Sequence, residues 1–256
     1  MTLGWVLAMA ACLQASAWRV AVVGDAGERT PTQQTVFDQV VASRPDAVLV
    51  LGDNFYEDGL HSESQIRDVW GPLLSLRLFG VLGNHDQRGH AQPFLMPSRY
   101  YRAEIGTGVE LIALDTSPLL FPTQGLWNPR GIDPSPQWAW LDAMMQRPKP
   151  RWRIVIGHHP VHSATKHCSE QRRPKQRLAA ALRRGNVDLY LAGHTHCLEE
   201  CVANGTAFAV VGSSARLNSI RTECPWEHSC KATHEHGWLM LDLGPDLMVR
   251  EWKRIP

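Results

Sequence analysis

The chain has 256 residues, 44% of them hydrophobic and 20% charged, an ordinary globular composition long enough for one large domain or two small ones. Its 26 Lys and Arg stand against 25 Asp and Glu, a net charge of +1. That balance gives no electrostatic footprint for nucleic acid or for an anionic membrane surface, so any preference for a charged substrate must be built locally.

The N-terminal MTLGWVLAMAACLQASA holds an apolar stretch from about Leu3 to Leu13, too short to span a bilayer. Ala15-Ser16-Ala17 supplies the small-x-small pattern of a signal-peptidase site. Residues 1–17 are therefore read as a signal peptide and residues 18–256 as one exported domain, periplasmic or secreted, with no transmembrane segment. A buried N-terminal helix and lipidation at Cys12 are the alternatives at this end.

From Trp18 the chain repeats one unit, a short β-branched apolar run closed by Gly and a polar residue. WRVAVV enters GDAG. Thr30-Pro31-Thr32-Gln33 then offers an N-cap, a first-turn Pro and a capping-box Gln ahead of Val36, Phe37, Val40 and Val41 at helical spacing. AVLVL enters GDNFY, and Ser62-x-x-Gln65 opens a helix through Ile66, Val69 and Trp70 that stops at Gly71-Pro72. LFGVL enters GNHD. Residues 117–132 are long and aperiodic, read either as a lid or as an irregular surface loop. Ser135-Pro136 opens a helix around Trp138, Leu141 and Met145 that Pro148 closes; RIVI then enters GHHP. Pro174 opens the last helix, around Leu178 and Leu182 up to Gly185, and its Arg172, Arg173, Lys175 and Arg177 read as a solvated helix start. LYLA enters GHTH, after which the chain turns all-β, with a hairpin about Asn204-Gly205 and a closing pair GWLMLDL and LMVREW. Asn204-Gly205-Thr206 is also a glycosylation sequon, for which the turn is sufficient reason.

Continuous apolar runs separated by helices are what parallel strands with crossover connections require, so the class is α/β. In such sheets ligands bind outside the carboxyl ends of the strands, which brings Asp25, Asp53, Asn84, His158, His194 and His196 to one place. Each alone has an ordinary structural reading: a turn cap for Asp25, a left-handed loop position for Asn84, a hydrogen-bonded imidazole for any single His. Five strand ends delivering such side chains in one register do not. Carboxylate, amide and imidazole without thiolate suit Fe, Mn or Zn, and more than four donors around Asp53 point to two ions sharing a carboxylate.

Five cysteines follow residue 17: Cys168, Cys197, Cys201, Cys224 and Cys230. An odd count leaves a free thiol or an intermolecular pair, and the cluster over 197–230 points to disulfides bracing a loop, in an unspecified pairing. A zinc site is the rival reading, without a C-x-x-C to support it.

GDAG, GDNFY, GNHD, GHHP and GHTH, in this order, resemble the five blocks of the calcineurin-like metallophosphoesterases. Tyr56 in GDNFY narrows the resemblance to the small, single-domain, tartrate-resistant purple acid phosphatases. GDNFYEDGL, PSRYYR and GHHPVHSATKH extend it over nearly all the chain after residue 17. The resemblance implies a layered β-sandwich flanked by helices, with a dinuclear metal site at the carboxyl ends of the strands. It implies Fe(III) held by Asp25, Tyr56 and His196, a divalent Fe, Zn or Mn held by Asn84, His158 and His194, and Asp53 as the bridge. His85 and His167 fall on the outer-sphere catalytic pair. A phenolate is a hard anionic donor suited to a trivalent ion, and its charge transfer to iron gives the family its colour. The implied activity is a monomeric acid phosphatase that hydrolyses phosphomonoesters, small molecules or proteins, by attack of a metal-bound hydroxide.

Two other readings stand beside it: a phosphodiesterase or nucleotide hydrolase of the same superfamily with two divalent metals, and a non-catalytic extracellular metal-binding domain. His159 and His162 miss the matched positions and read as solvated loop residues. His234 and His236 share one face of a strand start, with little to suggest a metal. Ala26 replaces the family's bulkier aromatic, which puts the pocket's shape in question.

Overall fold

The computed structural model describes residues 17–89, 95–165, 171–218 and 230–255. Residues 1–16 of the proposed leader, Cys12 among them, and His167, Cys168 and Cys224 lie outside these residues.

The apolar runs form strands, but in two sheets. β1 (Trp18–Val23), β2 (Ala47–Val50) and β3 (Leu78–Gly80) pair in parallel. β11 (His236–Leu243) pairs antiparallel with β1 and with β12 (Met248–Ile255), giving the order β12-β11-β1-β2-β3. The second sheet runs β10-β8-β9-β7-β6-β5-β4. In it β5 (Val109–Ala113), β6 (Trp152–Ile156), β7 (Leu189–Ala192) and β9 (Thr206–Val211) are parallel. β4 (Tyr101–Gly106), β8 (Leu198–Ala203) and β10 (Lys231–Thr233) pair antiparallel at its flanks.

Successive side chains of a strand face opposite ways, and here both ways are buried. Val20, Val22, Leu49 and Leu51 of the first sheet meet Leu111, Ile154, Ile156, Leu189 and Leu191 of the second in one core. Ala21, Val23, Val48 and Val50 turn outward onto Val36, Phe37 and Val40 of α1 (Pro31–Ser43) and Trp70 of α2 (Glu63–Trp70). On the other side Ile112, Val155 and Tyr190 pack on α3 (Thr116–Leu120), α4 (Ser135–Gln146) and α5 (Arg172–Arg184) through Leu119, Trp138, Leu141, Leu178 and Leu182. The layers are helix, sheet, sheet, helix. Among the described residues no helix is long and apolar enough to cross a membrane.

Local signals mostly act as read. Thr30 Oγ1 accepts from Gln33 N at 3.0 Å, and Gln65 Oε1 accepts from Ser62 N at 2.9 Å. Gln33, however, makes no capping box. Its buried amide donates to the carbonyls of Ala26 (3.3 Å) and Val69 (3.0 Å), tying α1 to the first strand-end loop and to α2. Ala26 is buried in the apolar core with Phe37 and Phe55, where its small side chain takes part in packing. α5 begins at Arg172, two residues before Pro174, and Arg177 stacks on Trp138 with its guanidinium carbon 4.0 Å from the ring centroid. Asn204 (φ 51°) and Gly205 (φ 83°) make the two-residue turn between β8 and β9 that the Asn-Gly pair signals. His234 and His236 each bond a backbone carbonyl through Nδ1, at 2.8 Å, and have a structural role.

Cys201 and Cys230 form a disulfide across 29 residues, and Cys197 is free and buried. Closing a loop of that length restricts the unfolded chain by about 3–4 kcal/mol. Cys201→Ser is accordingly expected to lower unfolding free energy by roughly 3 kcal/mol in denaturant titration, with the m-value raised; an unchanged midpoint would remove the bridge from the stability account.

Candidate metal centre

The polar residues after β1, β2 and β3 in one sheet and after β6 and β7 in the other all sit at the same end of the sandwich. Four of them leave their strands in the left-handed region that L-residues rarely adopt: Asp25 (φ 53°), Asp53 (φ 50°), His194 (φ 73°) and His196 (φ 46°). Such strain collects where a site over-determines the backbone. Gly83 and Gly193 make the convergence possible by close approach. A Cβ on Gly83 would collide with the backbone N and Oδ1 of Asp53, and one on Gly193 with Oδ2 of Asp25.

Two adjoining groups of donor atoms result. In the first, Tyr56 Oη lies 3.3 Å from Asp25 Oδ1, 3.2 Å from Asp53 Oδ2 and 3.1 Å from His196 Nε2, and His196 Nε2 lies 3.3 Å from Asp25 Oδ1. In the second, Asn84 Oδ1 lies 3.0 Å from His158 Nε2 and 2.9 Å from His194 Nδ1, and the two ring nitrogens are 3.3 Å apart. Asp53 belongs to both. Its Oδ2 faces Tyr56, while its Oδ1 lies 3.5 Å from His158 Nε2 and accepts from His85 N at 3.0 Å.

With neutral imidazoles these groups are crowded with acceptors and poor in protons. The Tyr56 hydroxyl has one proton for the two carboxylate oxygens beside it, with His196 Nε2 a third neighbour that donates or accepts according to its tautomer. His158 Nδ1 meets the Leu51 carbonyl at 2.8 Å and must carry the ring's proton there. The Nε2 lone pair of a neutral His158 therefore points at the Asn84 and Asp53 oxygens, acceptor against acceptor. Burial opposes a charge on His158, but the carboxylates of Asp53 and Asp25 outweigh it and raise its pKa. Burial, then Asp25 and Asp53, hold the Tyr56 phenol well above its ordinary range. A proton on His158 or a cation in each group would relieve this crowding, and the hard oxygen and imidazole donors fit Fe, Mn or Zn.

The Calcineurin-like phosphoesterase family matches over residues 19–198, a span that carries every one of these donors. The chain belongs to that family. It is similar to Arabidopsis thaliana purple acid phosphatase 3, at 32% identity over 60% of this chain and 49% of the relative. Purple acid phosphatase 7 of the same plant is 28% identical over 80% and 72%, and Sus scrofa tartrate-resistant acid phosphatase type 5 is 31% identical over 66% and 58%. The chain thus spans about half to just under three quarters of these relatives' lengths. Among solved structures, GAP50, the anchor in the inner membrane complex of Plasmodium, superposes with a TM-score of 0.72 at 20% identity, covering 93% of this chain and 84% of that one. The purple acid phosphatase PPD1 of yellow lupin gives 0.70 at 17%, covering 94% and 52%. At those identities the likeness is one of fold.

Several residues that support this calcineurin-like site escaped the sequence reading. Asp86, last of the GNHD block, accepts from the backbone of Asn54 (2.9 Å), Phe55 (3.2 Å) and Gly83 (2.7 Å), clamping the loop after β2 to the loop after β3. Burial and the neighbouring Asp53 push its pKa up to about 7. His159, expected in solvent, is 2% exposed. Its Nδ1 is 2.8 Å from Thr116 Oγ1, which also accepts from His158 N at 3.2 Å, and its ring centroid is 4.6 Å from that of His194. His162 packs edge-on against Phe208, with ring centroids 4.7 Å apart. His85 stands edge-on to Tyr56 at 4.7 Å, with Nδ1 against the Glu57 carbonyl. The 117–132 stretch opens with α3, and its Trp127 meets the His194 ring edge-on at 5.6 Å. Arg130 ties this loop to the Gly89 carbonyl at 2.6 Å.

Proposed function

We propose that the chain is an exported purple acid phosphatase of the small tartrate-resistant type, hydrolysing phosphomonoesters at a centre of Fe(III) plus a divalent Fe, Zn or Mn. The observation that carries the reading is Asp53, with one carboxylate oxygen in each donor group, beside a tyrosine oxygen in only the first. In this reading Asp25, Tyr56 and His196 hold the trivalent ion, Asn84, His158 and His194 the divalent one, and Asp53 both.

Bound there, two ions would supply an activated water, a clamp for phosphate oxygens and neutralisation of the charge that develops in in-line displacement. The chain's own residues do the rest. The left-handed turns and the Asp86 clamp hold the donors in place before substrate arrives. His85 lies at the rim beside Tyr56, one side chain able to offer a proton to the leaving alkoxide. His167 is proposed as its partner in that proton transfer, worth ~10²–10⁴ in rate together with positioning. Trp127 and the loop tied down by Arg130 wall the His194 side.

The test is metal content and a visible spectrum of the protein made in an exporting host, where its N-terminus should be Trp18. An iron-loaded, oxidised wild type is expected to be coloured and to prefer aryl monoesters over diesters. Tyr56→Phe should abolish the band and keep the fold, since one oxygen is removed. A colourless iron-loaded wild type, or a preference for diesters, would move the assignment to a phosphoesterase with two divalent ions.

A further inference from the structure

Arg216 lies in the segment after β9, with its guanidinium carbon 4.0 Å from the centroid of the Tyr56 ring. Its Nε bonds Glu28 Oε2 at 2.5 Å and its Nη2 bonds Glu57 Oε1 at 2.6 Å. Glu28 follows the GDAG turn after β1, and Glu57 is the residue after Tyr56. One side chain thus joins three loops. The segment that carries it is itself fixed: Gly24 N donates to Ser214 Oγ at 3.3 Å, and Ser214 Oγ donates to the Gly237 carbonyl at 3.2 Å. With both arms of its fork engaged, the guanidinium is held against the ring and is not a mobile surface charge. A cation within ~6 Å of an aromatic centroid is drawn to the ring's negative face.

We propose that Arg216 is a positioning and tuning residue for Tyr56, orienting its ring toward the first donor group and setting the electron-donating strength of its oxygen. The proposal rests on the reading of Tyr56 as an iron ligand. A fixed positive charge beside a phenolate lowers the energy of the electrons it donates, so moving one to iron takes more energy. The same charge disfavours the higher oxidation state of a nearby iron. Both effects are enlarged where little water screens them. Glu28 and Glu57 offset part of the charge, so removing Arg216 should displace the band and not erase it.

The experiment compares iron-loaded, oxidised wild type with Arg216→Gln, Arg216→Lys and Glu28→Gln, after circular dichroism and iron content confirm folding and loading. Arg216→Gln is expected to move the absorption maximum to longer wavelength and to make the iron harder to reduce. Arg216→Lys keeps the charge and should bring the band back toward wild type. Glu28→Gln removes an opposing charge and should move the band to shorter wavelength, which serves also if Arg216→Gln does not fold. A coloured wild type whose band and reduction midpoint are shared by these variants overturns the proposal alone. A colourless iron-loaded wild type overturns both it and the purple-phosphatase reading.

Discussion

Asp53→Asn is expected to cost metal at both positions and to lower turnover of an aryl phosphate by at least ~10², the scale on which even supporting groups of metal sites are felt. The substitution leaves shape almost unchanged and alters charge and one donor atom. Asp53 Oδ2 is 3.2 Å from Tyr56 Oη, and Oδ1 is 3.5 Å from His158 Nε2 and accepts from His85 N at 3.0 Å. An amide must point its NH₂ at one of these two sides. If the NH₂ takes the Oδ1 place, it faces the His85 N–H, donor against donor, and the second group loses an acceptor. If it takes the Oδ2 place, the first group loses one. In the proposed centre either orientation would take a donor atom from one position and the carboxylate's negative charge from both. Metal per chain by elemental analysis, with kcat on the same sample, checks this; two ions retained at full turnover would show that Asp53 does not bridge.

Gly83→Ala is expected to be nearly as damaging, although residue 83 offers no side chain to any ion. Its Cβ would strike the backbone N of Asp53 as well as Oδ1. A backbone atom cannot rotate away as a side-chain tip can. Overpacking of this kind typically costs 1–3 kcal/mol, roughly 2–12 °C in Tm for a chain of this size. The relaxation that limits the cost is movement of Asp53, so metal content should fall together with Tm. Gly71→Ala is the control, because nothing lies within 4 Å of a Cβ there. If both variants melt and load alike, the close approach at Gly83 is not what positions Asp53.

The strands that carry the site were legible because parallel strands buried on both faces leave unbroken apolar runs, and WRVAVV, AVLVL, RIVI and LYLA are such runs. The same property hid the division into two sheets. Val20 and Val22 meet Ile154 and Leu189 of the other sheet, whereas Ala21 and Val23 meet Val36 and Phe37 of a helix. In sequence both faces read as apolar, and only those contacts tell them apart. The β4–β5 hairpin was missed because YRAEIG interleaves charge with small residues, and Glu110 in β5 is neutralised by Arg102 and Arg153 from its neighbours in the sheet. The convergence of these polar side chains could be read because a Gly closes each run and fixes the register of the next polar residue. Arg216 and His159 could not, since each acts through partners far along the chain: Arg216 through Glu28, His159 through Thr116.

The two-sheet architecture also governs how this protein comes apart. Asp25, Asp53, Tyr56 and Asn84 follow strands of one sheet, whereas His158, His194 and His196 follow strands of the other. Ions held between them would fasten the two sheets together at one end, much as a cross-link between distant parts of the chain would. Separation of the sheets would then have to wait for an ion to leave. Metal removal should therefore act mainly on the rate of unfolding, shortening the lifetime of the native state at a given temperature, while refolding of the metal-free chain proceeds at its own pace and recovers the lifetime when ions return.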